Sequence, residues 1–144
     1  MIKWIFEKII IELFIYYEKI TKDIFFNIAI NDVNLNYDKT QYYWEKFDTS
    51  SAVNIKGLIK FLKKYYNINW YEYKKNLKEK ETYARQIRGD IIHAKKKYTL
   101  KEYTEVIKII FKLIRRKKKE LYKSIKNKSA HIREEEFLND LRIN

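Results

Sequence analysis

The sequence predicts an all-α protein, a four- to five-helix up-and-down bundle forming a single domain over residues 1–144. Its 144 residues include no proline and only two glycines, whereas sandwiches and barrels need many tight turns. Apolar residues recur at three- and four-residue steps over long stretches, the period of an amphipathic helix. Because 46% of the residues are hydrophobic, the chain can form a core rather than stay disordered.

The first helix is predicted to run from the start of the chain to about residue 28. One stripe of this helix is expected to be buried, formed by Ile5, Ile9, Leu13, Tyr16, Ile20, Ile24 and Ile28. Charged residues interrupt the segment at nearly every turn from Lys3 to Lys19. A membrane-spanning helix and a signal peptide both need a longer uncharged run. We therefore expect no membrane association and a cytoplasmic protein, which the absence of cysteine also favours.

The middle of the chain is predicted to contain a loop, a connector and a second helix. Residues 31–40 lack a sustained period and are expected to form the loop. Residues 41–51 are interpreted as an extended or short helical connector whose Tyr43, Trp44 and Phe47 fold onto the core. Ser50 or Ser51 is expected to cap the second helix, whose buried face comprises Ile55, Leu58, Ile59, Leu62 and Tyr66.

Two further helices and a tail complete the predicted bundle. The third helix runs from about residue 70 to 93, with an inward face of Tyr73, Leu77, Tyr83, Ile87 and Ile91. Thr99 or a neighbour caps a fourth helix, whose stripe is formed by Tyr103, Ile107, Ile110, Ile114, Leu121 and Ile125. Residues 131–144 turn acidic and are predicted to form a tail or a short last helix.

The formal net charge of +13 indicates a polyanionic partner such as RNA or anionic lipid. A compositional explanation stays open, because the chain is rich in Lys, Ile, Asn and Tyr, as expected of a coding sequence poor in G and C. The RRKKK block at residues 115–119 is open to the same two interpretations, a solvated helix face or an RNA contact.

Residues 85–99 read RQIRGDIIHAKKKYT and contain the residue types needed to cleave RNA. A histidine can move protons near neutral pH, and an arginine can stabilise charge on phosphoryl oxygens. Arg88 and His93 lie roughly 140° apart around an ideal helix, whereas Asp90 and His93, three residues apart, can meet on one face. Asp90 is therefore expected to orient the imidazole. This chemistry needs no metal or cofactor, and we expect none.

The segment R88-G-D-I-I-H93 resembles the Arg-x4–6-His motif of the HEPN family. The resemblance implies that the motif ends the third helix of a helical bundle. It also implies a homodimer in which the motifs of two subunits meet in one composite cleft. Family members are metal-independent endoribonucleases or RNA-binding relatives, and they act in toxin–antitoxin modules and phage defence. A cognate antitoxin or a defence-complex protein is then a further expected partner.

The residues flanking the motif extend the predicted site. Arg85, one turn before Arg88, is expected to support the cationic patch. A second group is predicted to bind RNA through phosphate contacts and stacking on the tyrosine, or else to form a solvated helix end; it comprises Lys95, Lys96, Lys97 and Tyr98. Family members usually have a polar residue after the arginine and often glycine after the histidine. This chain has Gly89 and Ala94, and Gly89 favours the alternative of a non-catalytic RNA-binding or protein-interaction module.

Overall fold

A computed structural model describes residues 2–47, 52–69, 76–128 and 130–143. Within these ranges all regular secondary structure is helical, which confirms the all-α prediction. The α-helices are α1 (Ile2–Asn27), α2 (Tyr37–Lys46), α3 (Ala52–Tyr66), α4 (Leu77–Ile92), α5 (Leu100–Arg116), α6 (Lys123–Asn127) and α7 (Glu134–Asp140). Two wider π-helical turns extend helices, one over Ile28–Asp32 after α1 and one over Lys117–Tyr122 after α5.

The chain divides into two compact units, each built from two separate segments. Unit 1 comprises Met1–Ile20 and Tyr71–Lys118, and unit 2 comprises Thr21–Trp70 and Lys119–Asn144. In the described ranges, every helix is too short or too polar to serve as a membrane span. The predicted caps Ser50 and Ser51 and the predicted core residue Tyr73 lie outside the described residues.

In unit 1, the first half of α1 buries a different face from the predicted one. Ile10, Phe14 and Tyr17 are almost completely buried, whereas Ile5 and Ile9 are 46% and 38% exposed. The predicted stripe is therefore wrong in this half of the helix and correct only from residue 20 onward, where Ile20, Ile24 and Ile28 are buried. Apolar residues surround most of this half of α1, so the helical period alone could not select the buried face.

The rest of unit 1 follows the predicted pattern more closely. Thr99 caps α5 as predicted: its hydroxyl accepts from the Glu102 amide, and the Glu102 side chain accepts from the Thr99 amide. Helix α5 packs against α4 and buries Tyr103, Val106, Ile110, Leu113 and Ile114. In α4, Leu77 and Ile87 are buried as predicted, but Tyr83 is 39% exposed.

In unit 2, the predicted loop at residues 31–40 is shorter than expected. The π-helical turn extends through residue 32 and α2 begins at Tyr37, because the side chain of Asn36 caps that helix by accepting from the Lys39 amide at 2.7 Å. Phe47 is buried as predicted and stacks on Phe25, with ring centres 5.4 Å apart. The acidic end of the chain forms the predicted short helix, α7, which buries Phe137.

Candidate functional site

The RGDIIH segment lies at the C-terminal end of α4, as predicted. Helical geometry continues through Ile92, and His93 is the C-terminal capping residue. The chain then reverses at Ala94, which has a φ of 50°. The Lys95 amide donates to the Asp90 carbonyl at 3.0 Å and the Ala94 amide to the Ile91 carbonyl at 3.2 Å, the two bonds of a Schellman motif. Alanine occupies the left-handed position at which glycine is the favoured residue.

Arg88, in α4, is held against side chains of α1 within unit 1. Its Nη1 donates to Glu18 Oε1 at 2.9 Å, and its guanidinium carbon lies 5.0 Å from the centre of the Phe14 ring. About a quarter of the side chain, 26%, is exposed. The Nε atom is buried and makes no hydrogen bond within the described part of the protein. Arg88 therefore retains an unpaired donor, and its ion pair with Glu18 faces partly toward water.

His93 is exposed at the end of the helix. Its backbone amide donates to the Gly89 carbonyl at 3.0 Å, whereas no described residue forms a hydrogen bond with its ring. The described part of the protein therefore does not hold the His93 ring through a hydrogen bond. Because α4 remains helical between Arg88 and His93, the two residues project in directions roughly 140° apart. The structure thus keeps the angular separation that the sequence predicted for these two residues on an ideal helix.

Asp90 does not orient His93, which corrects the expected role of this carboxylate. It accepts a hydrogen bond from the Tyr98 hydroxyl at 2.5 Å instead. The reversal at Ala94 turns the following residues back along α4, and this brings Tyr98 to the carboxylate. The hydrogen bond to Asp90, assisted by burial, raises the pKa of Tyr98 to about 12. The Asp90–Tyr98 pair therefore fixes the loop after α4.

Tyr98 also differs from its predicted role as a surface for base stacking. Its ring is only 6% exposed and packs edge-on against Tyr103, with centres 6.0 Å apart. The Tyr103 hydroxyl in turn donates to Glu7 at 2.8 Å. A nucleic-acid base cannot reach the face of a ring that is packed in this way.

The three lysines before Tyr98 remain exposed, as a phosphate-binding group requires. Lys97 makes a long ion pair with Glu7, at 3.4 Å, and the Lys96 ammonium lies 5.0 Å from the centre of the Tyr98 ring. Exposed ion pairs of this kind contribute little to stability. The lysines are therefore available to an anionic partner beside His93.

Arg85 belongs to a partly buried ionic cluster. The sequence predicted Arg85 and Arg88 as site residues, but not the carboxylates that they contact. Its Nη2 donates to Glu81 Oε1 at 3.1 Å, and its Nη1 lies 3.5 Å from Glu18. Burial is the largest single influence and opposes the charge on Arg85, but the charges of Glu81 and its other neighbours, with the hydrogen bond to Glu81, together outweigh it and raise the pKa of Arg85. Glu81 also accepts from the Tyr17 hydroxyl at 3.1 Å. Arg85 therefore engages Glu81 and also Glu18, the carboxylate that pairs with Arg88.

Lys117 is the cluster member that the sequence analysis missed. It is 7% exposed, as is Arg116, so the RRKKK block is not a uniformly solvated face. The Lys117 ammonium donates to the Tyr17 carbonyl at 3.3 Å and lies 3.7 Å from the centre of the Tyr17 ring. Burial lowers the pKa of Lys117 to about 7. Its spacing of four residues from Leu113 would have indicated this buried position.

The site contains no recognisable metal ligands: in the described ranges, no three His, Cys, Asp or Glu side chains are grouped so that they could hold an ion. The chain matches no family model, no curated protein and no solved structure.

Proposed function

We propose that this chain is an RNA-targeting protein that cleaves RNA without a metal ion, with His93 and Arg88 as its catalytic residues. The observation that carries the proposal is the end of α4, where an exposed histidine follows a partly exposed arginine with an unpaired donor. Three exposed lysines lie directly beyond it. The +13 net charge supplies nonspecific attraction to the RNA backbone, and the resemblance to the HEPN family supports a toxin or defence role.

The proposed reaction needs two proton transfers and one cationic group. The ribose 2′-hydroxyl attacks the adjacent phosphorus while a histidine takes its proton. The bond from phosphorus to the 5′-oxygen breaks, and that oxygen receives a proton. The products are a 2′,3′-cyclic phosphate and a 5′-hydroxyl end. Arg88 stabilises the charge on the phosphoryl oxygens during the attack.

The contacts of Arg88 suit this role. An arginine can bind a phosphate through two parallel hydrogen bonds. Because the Arg88–Glu18 pair is partly exposed, a phosphate can compete with the Glu18 carboxylate for the guanidinium.

We further propose a homodimer, because a single His93 cannot both accept and donate a proton in one concerted reaction. In a dimer that brings two copies of residues 85–98 together, one His93 acts as base and the other as acid. Ile92, directly before His93, is 57% exposed. An exposed isoleucine beside the motif is suited to an interface between two subunits.

The uncovered face of α1 offers further support for a second copy of this chain. It carries Trp4, Ile5, Ile15 and Tyr16 at exposures of 42% to 65%, opposite the buried face of the same helix. An exposed apolar surface of this kind indicates an interaction site.

The residues on this face are self-complementary. If two α1 helices pair antiparallel about a twofold axis near residue 10, Ile5 lies opposite Ile15 of the second copy. Lys8 then lies opposite Glu12 of the second copy. Both charges are exposed and neither forms an ion pair with another described residue. In an interface with a twofold axis, a residue of one copy contacts a second residue of the other copy, and the reverse contact also forms. The same patch must therefore be complementary to itself.

A non-catalytic RNA-binding or protein-interaction module of the same helical fold is the alternative function. The specific observation in its favour is the 2.9 Å ion pair of Arg88 with Glu18, which neutralises the guanidinium when no RNA is bound. Gly89 adds to it, because no side chain is present at the position that usually carries a polar group beside the motif arginine.

The test is incubation of the purified protein with RNA in EDTA, with analysis of the chemical ends of the products. The wild-type protein should produce 2′,3′-cyclic phosphate and 5′-hydroxyl ends. His93→Ala should lose activity by about 10²-fold or more. The matched control is His131→Ala, since His131 is the other of the two histidines in the chain and is also exposed; this variant should cleave like wild type.

Three results would contradict the catalytic proposal. One is equal cleavage by the wild type and His93→Ala, and another is loss of cleavage in EDTA with recovery on adding Mg²⁺. The third is RNA binding without cleavage by any variant, which would establish the non-catalytic alternative.

A further inference from the structure

A cavity in unit 2 lies between α3 and the end of α7, and its walls are strongly cationic. Its volume is about 310 Å³. Three of its lining residues are lysines of α3 spaced four residues apart, Lys56, Lys60 and Lys64, and a fourth cation, Arg142, follows α7. Residues four apart on a helix share one face, and like charges in such pairs destabilise the helix slightly. The row of lysines is therefore not explained by helix stability.

The single carboxylate among the residues lining this cavity is already engaged. Asp140 accepts from the Tyr65 hydroxyl at 2.7 Å and from the Lys64 ammonium at 2.9 Å. These two hydrogen bonds lower the pKa of Asp140. Lys56, Lys60 and Arg142 form no ion pair with any described residue, so the described part of the chain leaves the charge of these three cations uncompensated.

Arg142 occupies a backbone conformation that favours glycine. Its φ is 56°, and it is the left-handed residue of a Schellman motif at the end of α7. Its amide donates to the Asn139 carbonyl at 3.2 Å, and the Ile143 amide donates to the Leu138 carbonyl at 2.8 Å. Residues with a Cβ atom are strained in this conformation. The chain thus has an arginine at a helix end where glycine would be more stable, and the arginine adds its charge to the cavity.

We propose that this cavity binds the phosphate group of a small phosphorylated molecule. Arginine can bind a phosphate through two hydrogen bonds, and the lysines add point charges around it. The volume is at the lower end of the range for small-molecule sites, which fits a mononucleotide or a sugar phosphate. The ring of Phe61, which is buried, makes part of the cavity wall apolar. The proposed phosphate site contains only residues of unit 2 and is independent of the proposed ribonuclease function.

The decisive variant is Arg142→Gly, because stability and binding should change in opposite directions. Relief of the strained backbone should raise the thermal midpoint by about 2–5 °C. Loss of the guanidinium should weaken the binding of adenosine monophosphate, measured by isothermal titration calorimetry, roughly tenfold or more. Lys60→Gln should also weaken binding. The matched control is Ala94→Gly, which relieves the same strain at the end of α4 in unit 1 and should leave the affinity unchanged.

Inorganic phosphate and a short RNA oligomer complete the experiment. Phosphate should compete with adenosine monophosphate for the wild-type protein and not for Arg142→Gly. Equal affinity of the wild type and Arg142→Gly for the nucleotide would overturn the proposal. A second result would also overturn the proposal: the RNA oligomer binds in a manner that depends on Arg142, whereas adenosine monophosphate and phosphate do not bind. The cavity would then recognise an RNA backbone.

Discussion

Replacement of Lys117 by methionine should change the pH dependence of stability by an amount that follows from its burial. Lys117 is 7% exposed, and burial lowers its pKa to about 7 in the folded protein. Methionine keeps an unbranched apolar side chain in the same space and cannot ionise. The difference in unfolding free energy between wild type and Lys117→Met therefore isolates the titration of this one group.

The size of the effect is set by the two pKa values of Lys117. A lysine in an unfolded chain has a pKa of about 10.4, so at pH 9 the unfolded chain still holds the proton that the folded protein has released. Stability rises with pH wherever the unfolded state binds more protons. Integration of this proton difference from pH 7 to pH 9 gives about 2 kcal/mol. The wild type should gain that much relative to Lys117→Met.

Urea unfolding followed by circular dichroism at pH 7, 8 and 9 measures this difference directly. Lys119→Met is the matched control, because Lys119 is exposed, and its stability should follow that of the wild type at every pH. A constant difference between wild type and Lys117→Met across these pH values would refute the argument. Lys117 would then be charged, or equally solvated, in both the folded and the unfolded states.

Three further predictions concern helix ends and the dimer. Ala94→Gly should stabilise the protein by about 0.5–1 kcal/mol in thermal or urea unfolding, because relief of the left-handed strain exceeds the added entropy of glycine in the unfolded chain; a destabilised variant would contradict this. Gly89→Ala should add about 1 kcal/mol, since a Cβ atom there meets nothing within 4 Å, and unchanged unfolding would contradict it. Lys8→Glu should weaken dimerisation, measured by sedimentation, and the double variant Lys8→Glu/Glu12→Lys should restore it. The control variant Lys112→Glu should have no effect on dimerisation. Failure of the double variant to restore the dimer would exclude the antiparallel α1 pairing.

The sequence alone determined the features that depend on residues close together in the chain. The helical period, the scarcity of glycine and proline, and the Thr99 cap all act within a few residues, and the all-α class and the start of α5 were predicted from them. The position of RGDIIH at the end of a helix was predicted for the same reason. The single-domain bundle, the dimer and the catalytic role of Arg88 and His93 stay predictions.

Tertiary packing decided which of the local possibilities was used. Helix α1 has apolar residues on two faces, and packing within unit 1 buries the one that contains Phe14. Asp90 could have bonded either His93 or a residue of the following loop, and the reversal at Ala94 brought Tyr98 to it. The ion pair of Arg88 with Glu18 joins residues 70 positions apart. Local spacing carries no information about such a contact, because it depends on how helices distant in sequence meet, and this contact sets the charge that Arg88 presents to a ligand.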